Sequence, residues 1–278
     1  MRTHRVKTLD LDLSRLMPEV GKAWQFPYSE AYSDYLCGGP WKSCMLWTTD
    51  GQQGDGYIAK YGQEAVGRKT SYAGEMPYLW KQVEQTFDLE HLSFARLAVI
   101  SNSVIIPHKD LLELDKLLHR VHLPLVTNDH CFFSEGNVVY RMKPGEVWFF
   151  DAAKMHGAAS FSEEKRMHLI LDFADVAQTD RFVRGASRPA QTIPQDSILA
   201  RPPVSAELVA ELVKLGRLID MNNYREVFSI VIRKHYGFDG GENFIWDTMH
   251  KIAEASENVA VCRRINDMYT YFLEKRAA

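Results

Sequence analysis

A chain of 278 residues, 46% hydrophobic and 25% charged, has the composition of a globular protein and length enough for one large domain or a domain with an appendage. Lysine and arginine total 33 against 36 acids, a formal charge of -3 with no basic block, so neither nucleic acid nor a membrane surface is an expected partner and a small molecule is. Four cysteines without C-x-x-C spacing (Cys37, Cys44, Cys131, Cys262), no signal peptide and no long apolar span make a reducing cytoplasm the expected location.

Up to about residue 90 the chain mixes short apolar segments with aromatic-rich loops around Trp41 and Trp47, and a helix is predicted over Pro77 to Phe87. From Leu92 the texture changes to short runs of β-branched and aromatic residues: S-F-A-R-L-A-V-I, S-V-I-I-P, R-V-H-L-P-L-V, V-V-Y-R-M, E-V-W-F-F-D and M-H-L-I-L-D-F. Polar or Pro/Gly breaks such as N-D-H-C and K-P-G-E separate them, and no long helical period intervenes. That pattern predicts an antiparallel jelly roll, a double-stranded β-helix, rather than βαβ units.

The strands stop after Asp175. An extended linker is predicted over 188–205, beginning R-P-A-Q-T-I-P, and a helical unit over 206–278, with a jelly-roll domain and its N-terminal helical and loop elements over 1–187. In the helical unit Leu208, Leu212, Leu215 and Ile219 recur at helical spacing behind Ser205 as N-cap. Further helices are predicted around Tyr224 to His235, Phe244 to Ala255 and Ala260 to Lys275.

The stretch I-I-P-H-K-D ends an apolar run with His108 and Asp110 two residues apart. Alone, H-x-D is a weak signal, as readily a histidine satisfied locally in a strand-end turn. Downstream, E-V-W-F-F-D-A-A-K-M-H brings His156 after a turn, with Arg166 ten residues on. Two histidines and one carboxylate can occupy one face of an octahedral Fe(II) and leave three positions for a bidentate 2-oxo acid and dioxygen. Alternate strand residues point to one side, so His108 and Asp110 can reach one metal, while His156 arrives from another strand. Arg166 suits the distal carboxylate of 2-oxoglutarate, which a guanidinium binds bidentately. Its bland alternative is a surface arginine pairing with Glu163 or Glu164 for little energy.

P-H-K-D, R-V-H-L, G-E-V-W-F-F-D-A-A-K-M-H and R-M-H-L-I-L-D-F resemble the Fe(II)/2-oxoglutarate-dependent oxygenases of the aspartyl/asparaginyl β-hydroxylase family, and within it the bacterial L-proline hydroxylases acting at C3 or cis at C4. Y-S-D-Y-L-C-G-G-P-W-K-S-C-M-L, from Tyr32, and M-N-N-Y-R-E-V extend the likeness over nearly the whole chain. The resemblance implies His108, Asp110 and His156 on iron and Arg166 on the 5-carboxylate of 2-oxoglutarate. It implies His122 and His168 beside the co-substrate, and Arg120 and Arg96 facing the amino-acid substrate. It departs at Ala98, where those enzymes carry a second arginine two residues after the first; the pocket there loses a cation and gains volume. Trp41, Trp47 and Trp148 are candidates to line that space, each also suited to a core.

The implied activity is hydroxylation of a C–H bond of a free amino acid, L-proline or a relative, with release of succinate and carbon dioxide. Fe(II), 2-oxoglutarate and dioxygen are the implied cofactors and co-substrates, with ascorbate as a supporting reductant and a homodimer left open. Two alternatives stand beside it: an oxygenase acting on a peptide side chain or carrier-bound amino acid, and a cupin-like metal-binding protein without oxygenase activity.

Overall fold

The computed structural model describes residues 3–30, 32–56, 58, 67–110, 119–174, 182–185 and 192–274. In chain order these form β1 (His4–Thr8), α1 (Leu13–Ala23), β2 (Trp41–Thr48), β3 (Arg68–Lys69), α2 (Ser71–Gly74), α3 (Pro77–Thr86), β4 (Leu92–Ile100), β5 (Ser103–Val104), β6 (His119–Val126), β7 (Cys131–Glu135), β8 (Val138–Tyr140), β9 (Glu146–Phe150), β10 (His156–Ser160) and β11 (Arg166–Phe173). Then come α4 (Ala206–Val213), α5 (Tyr224–Gly237), α6 (Phe244–Ala255) and α7 (Val259–Tyr269), the last running into a π-helical turn at Thr270–Glu274. The expected strand end at Asp175, the start of the expected linker at Arg188 and the expected helix end at Lys275 lie outside the described residues.

Among the described residues the strands make two antiparallel sheets, one ordered β1-β9-β6-β11-β4-β2-β3 and the other β5-β10-β7-β8. This is the jelly roll expected from the strand pattern. The alternation of strand side chains fixes what each face of the larger sheet does. Ala95, Leu97 and Val99 of β4, Val121 and Leu123 of β6 and Leu169 and Leu171 of β11 point outward and pack under α1 and α3, in one core with Leu16, Val20, Leu79 and Val83. Burying each of these leucines and valines stabilises the fold by about 1.5–3 kcal/mol. The residues between them, Arg96, Ala98, Arg120, His122, Arg166 and Ile170, line the space between the sheets.

Glu19 of α1 ties the two covering helices together: its carboxylate is buried and accepts from the N–H groups of Tyr78 (2.7 Å) and Leu79 (2.9 Å), two of the donors left open at the start of α3. The K-P-G-E break is a tight turn into β9, with Glu146 N–H donating to the carbonyl of Lys143 (3.2 Å). Gly145 adopts φ 81° there, and a Cβ would lie 2.7 Å from the carbonyl oxygen of Leu9.

The outer side of the smaller sheet faces the C-terminal helices. Phe132 of β7, Tyr236 of α5 and Phe161 pack ring to ring, and Phe228, Trp246 and Met249 belong to the same core as Val139 and Ala159. Ser205 caps α4 as expected, its hydroxyl accepting from the N–H of Leu208 (3.1 Å). Strands β1, β2, β7 and β10 and helix α1 were not among the elements expected. None of the described helices is long and apolar enough to cross a membrane, and all four cysteines are free thiols.

Candidate metal centre and buried cavity

His108, Asp110 and His156 come together because the segment after β5 pairs with β10. His108 and His156 exchange both backbone hydrogen bonds at 2.9 Å, and the N–H of Asp110 donates to the carbonyl of Ala152 (2.9 Å). One candidate donor atom from each of the three side chains lies within 4.8 Å of the others, all three residues being buried. Each ring is oriented by the carbonyl two residues before it: Nδ1 of His108 lies 2.6 Å from the oxygen of Ile106, and Nδ1 of His156 lies 2.8 Å from that of Lys154. A carbonyl only accepts, so Nδ1 carries the proton and Nε2 is left to present its lone pair. Oδ1 of Asp110 sits 3.1 Å from Nε2 of His108 and 3.6 Å from Nε2 of His156.

The other carboxylate oxygen of Asp110 is held by Nη1 of Arg120, whose Nε donates to Asp172 (2.7 Å) and whose Nη2 reaches the second oxygen of Asp172 at 3.4 Å. Burial would raise the Asp110 carboxyl, but Arg120, then His156 and His108, hold it well below the usual carboxylate range. Two nitrogen donors and one carboxylate, open on one side to a cavity, fit a divalent first-row metal with positions to spare.

The cavity behind them is lined by Arg96, Ala98, His122, Phe133, Phe150 and Arg166. Arg166, 2% exposed, sits at its inner wall with its guanidinium 4.8 Å from the centre of the Phe133 ring; Nε and Nη1 have no hydrogen-bond partner among the described residues. The alternative of a surface pair does not hold, since Arg166 is buried while Glu163 and Glu164 accept from Asn102 (2.9 Å) and Asn128 (3.0 Å) at the surface. Burial pushes the Arg166 guanidinium down to about 10. An unanswered buried cation of this kind is costly without an anion and so points to one.

His122 and His168 are buried beside it with ring centroids 5.7 Å apart, and among the described residues neither nitrogen of either ring has a hydrogen-bond partner. Burial, then the charges of Arg120, Arg166 and Arg96 around His122 and of Arg166 beside His168, press both imidazoles well below their ordinary range. Both are neutral at pH 7. Arg96 lines the cavity, its Nε and Nη1 without a hydrogen-bond partner among the described residues, and lies 5.6 Å from the centre of the Tyr32 ring. Ala98 lies beside it on the same face of β4, opposite Ser43 on one neighbour and His168 on the other.

All eight residues singled out from the sequence are therefore in this one region. Of the three tryptophans only Trp41 lines the cavity; Trp47 stacks on Trp80 (5.6 Å) on the outer face, and Trp148 is buried with its indole N–H on Glu146 (2.9 Å). The sequence reading missed Asp172, the partner of Arg120, although Arg166, His168, Ile170 and Asp172 share one face at period two. It also missed Phe133 and Phe150, apolar walls from β7 and β9.

Residues 3–175 match the family described as aspartyl/asparaginyl β-hydroxylase, and residues 179–278 match that described as L-proline 3-hydroxylase, C-terminal. The chain is 31% identical to an L-proline cis-4-hydroxylase of Rhizobium meliloti (strain 1021), over 99% of this chain and 97% of that one. It is 29% identical to an L-proline cis-3-hydroxylase 2 of Streptomyces sp, over 100% and 97%, and 31% identical to an L-proline cis-3-hydroxylase 1 of Streptomyces sp, over 96% and 94%.

Proposed function

The chain belongs to the aspartyl/asparaginyl β-hydroxylase family, and from that premise we propose that it is an Fe(II)/2-oxoglutarate-dependent oxygenase hydroxylating free L-proline, or an amino acid of similar shape, at C3 or cis at C4. The observation that carries this reading is the pairing of two features in one cavity: a three-donor cluster of His108, Asp110 and His156, and a buried arginine, Arg166, with unpaired nitrogens.

In this reading Nε2 of His108, Nε2 of His156 and Oδ1 of Asp110 hold the metal. Bound there, Fe(II) supplies dioxygen activation coupled to oxidative decarboxylation of 2-oxoglutarate to succinate and carbon dioxide. Arg166 takes the distal carboxylate of 2-oxoglutarate, and the neutral rings of His122 and His168 flank it as hydrogen-bond partners without adding charge. Arg120, engaged by Asp172 and Asp110, holds one carboxylate oxygen of Asp110 so that the other is turned to the metal, while its remaining surface borders the substrate space. Arg96 has the unpaired guanidinium nitrogens and is assigned the substrate carboxylate.

Charge supports the same reading. Arg96, Arg120 and Arg166 against Asp110 and Asp172 leave one positive charge buried, and a divalent metal makes three. The two carboxylates of 2-oxoglutarate offset two of these, and a zwitterionic amino acid, which adds no net charge, brings its carboxylate to the one that remains. Trp41, Phe133 and Phe150 supply the apolar wall that keeps water from the reacting C–H bond.

The test is succinate formation from 2-oxoglutarate with Fe(II) and single amino acids, L-proline and its ring homologues first, with products separated by mass and by comparison with C3 and C4 standards. Proline-dependent succinate with matching hydroxyproline supports the reading. Succinate stimulated only by a peptide or carrier-bound residue moves the substrate, and 2-oxoglutarate that neither binds nor turns over rejects the reading.

A further inference from the structure

The two metal-bearing segments are held from outside by the C-terminal helices. Lys109 lies between His108 and Asp110, and its N–H donates to the carbonyl of Phe272 in the π-helical turn after α7 (3.0 Å). The ring of Phe272 is buried, 5.1 Å from that of Tyr35 and 6.4 Å from that of His108. Tyr35 stands edge-on to the His108 imidazole at 4.6 Å, and its carbonyl accepts from the N–H of Ile106 (2.8 Å), the residue whose own carbonyl orients His108 Nδ1.

The turn carrying Tyr35 is itself fixed by the helical unit. Arg225 of α5 donates to the carbonyls of Ser33 (3.2 Å) and Leu36 (2.9 Å) on either side of it. On the second segment, Tyr236 of α5 sits over Gly157, the residue after His156; a Cβ on that glycine would meet the tyrosine hydroxyl at 3.4 Å. Three contacts from one unit thus converge on the backbone and rings that set the donor atoms.

We infer that the C-terminal helical unit is a positioning element of the metal centre, acting through Phe272 and Arg225 on His108 and through Tyr236 on the His156 segment. It is neither a detached appendage nor a docking surface in this role. The segment bearing His108 and Asp110 is tied to β10 and to Ala152 by three backbone hydrogen bonds and gains further support from the helical unit, and partners that orient metal ligands are worth about 10- to 100-fold in metal affinity. This inference rests on the reading of His108, Asp110 and His156 as metal ligands.

Co(II) is the probe, because its absorption bands report ligand geometry as well as occupancy. Titrations compare the full chain with Phe272→Ala, Phe272→Leu, Arg225→Gln and His108→Ala, with circular dichroism recorded on each. Phe272→Ala is expected to weaken Co(II) binding by about 10-fold or more and to change the band shape, Phe272→Leu to fall between, and Arg225→Gln to move in the same direction. A folded Phe272→Ala with affinity and spectrum indistinguishable from wild type overturns the inference. If Phe272→Ala does not fold, an unchanged Arg225→Gln overturns it. If His108→Ala binds Co(II) as wild type does, the ligand assignment itself has failed.

Discussion

Arg120 grips Asp110 by the oxygen that is turned away from the two histidines: Nη1 meets Oδ2, while Oδ1 lies 3.1 Å from Nε2 of His108. Asp172 in turn holds Nε of the same guanidinium at 2.7 Å, so a chain of charge runs from β11 through β6 to the carboxylate proposed to bind the metal. Arg120→Leu leaves two buried carboxylates unanswered at once, and breaking such a pairing costs about 3–5 kcal/mol. The expected outcome is a lower melting temperature and weaker Fe(II) binding together, whereas a role confined to substrate would raise only the amino-acid KM.

Arg166 presents the reverse case, a cation with no anionic partner among the described residues. Arg166→Gln removes one or two charge-assisted hydrogen bonds to the co-substrate, each worth about 1.5–3 kcal/mol, so the KM for 2-oxoglutarate is expected to rise about 10- to 100-fold or more. The melting temperature of the ligand-free protein is expected to hold or rise, because an unpaired buried charge has gone. Steady-state kinetics at saturating amino acid and a thermal melt check both halves.

Ala98 leaves room where a larger side chain would stand between Arg96 and the facing strands. The wild type is therefore expected to hydroxylate the six-membered ring homologue of proline as well as proline, and Ala98→Leu to suppress the larger substrate selectively with little change in the 2-oxoglutarate KM. Competition between the two amino acids, read by mass spectrometry, gives the ratio directly. An unchanged ratio places Ala98 outside the substrate space.

His235 on α5 is buried with both ring nitrogens unpaired among the described residues, and burial, assisted by Arg201 and opposed by Asp239, pushes its imidazole down to about 4. The unfolded chain takes up that proton near pH 6.5 and the folded one only near 4, so the unfolded state binds more protons in between and stability falls as pH drops through that window. The loss attributable to this group reaches about 3 kcal/mol by pH 4. His235→Leu is expected to flatten that part of the stability curve, measured by urea unfolding at pH 7, 5.5 and 4; parallel wild-type and variant curves contradict it.

The helix pair over the larger sheet depends on Glu19, whose two oxygens answer the N–H groups of Tyr78 and Leu79. Glu19→Ala leaves two buried donors open at the start of α3 and is expected to cost about 1–3 kcal/mol. Chemical denaturation checks the magnitude, and Glu19→Gln, which keeps one acceptor, is expected to recover part of it.

What the sequence revealed follows from which signals are local. The site residues of β4, β6 and β11 were legible because Arg96, Arg120, His122, Arg166 and His168 interrupt runs that otherwise read apolar, and period two puts them on one face. Strand β2 was not, since Ser43 and Met45 face inward while Cys44 and Leu46 face outward and all four are buried, which erases the alternation. Helix α1 was hidden by Pro18 and by Leu13 and Met17 on its exposed side. Phe272 carried no signal beyond its place in an expected helix, and Tyr35 only its place in the Y-S-D-Y stretch, because their contacts with His108 arise only once the helices pack.

The central claim is tested most directly by the fate of dioxygen. L-Proline, 2-oxoglutarate and Fe(II) are incubated with the protein under isotopically heavy dioxygen, and amino acid and succinate are weighed by mass spectrometry, with Asp110→Ala alongside. The account predicts one heavy oxygen in hydroxyproline and one in succinate, in equal amounts, and neither product from the variant. Succinate and hydroxylated product formed undiminished by Asp110→Ala, or no heavy oxygen in any amino acid offered, would contradict it.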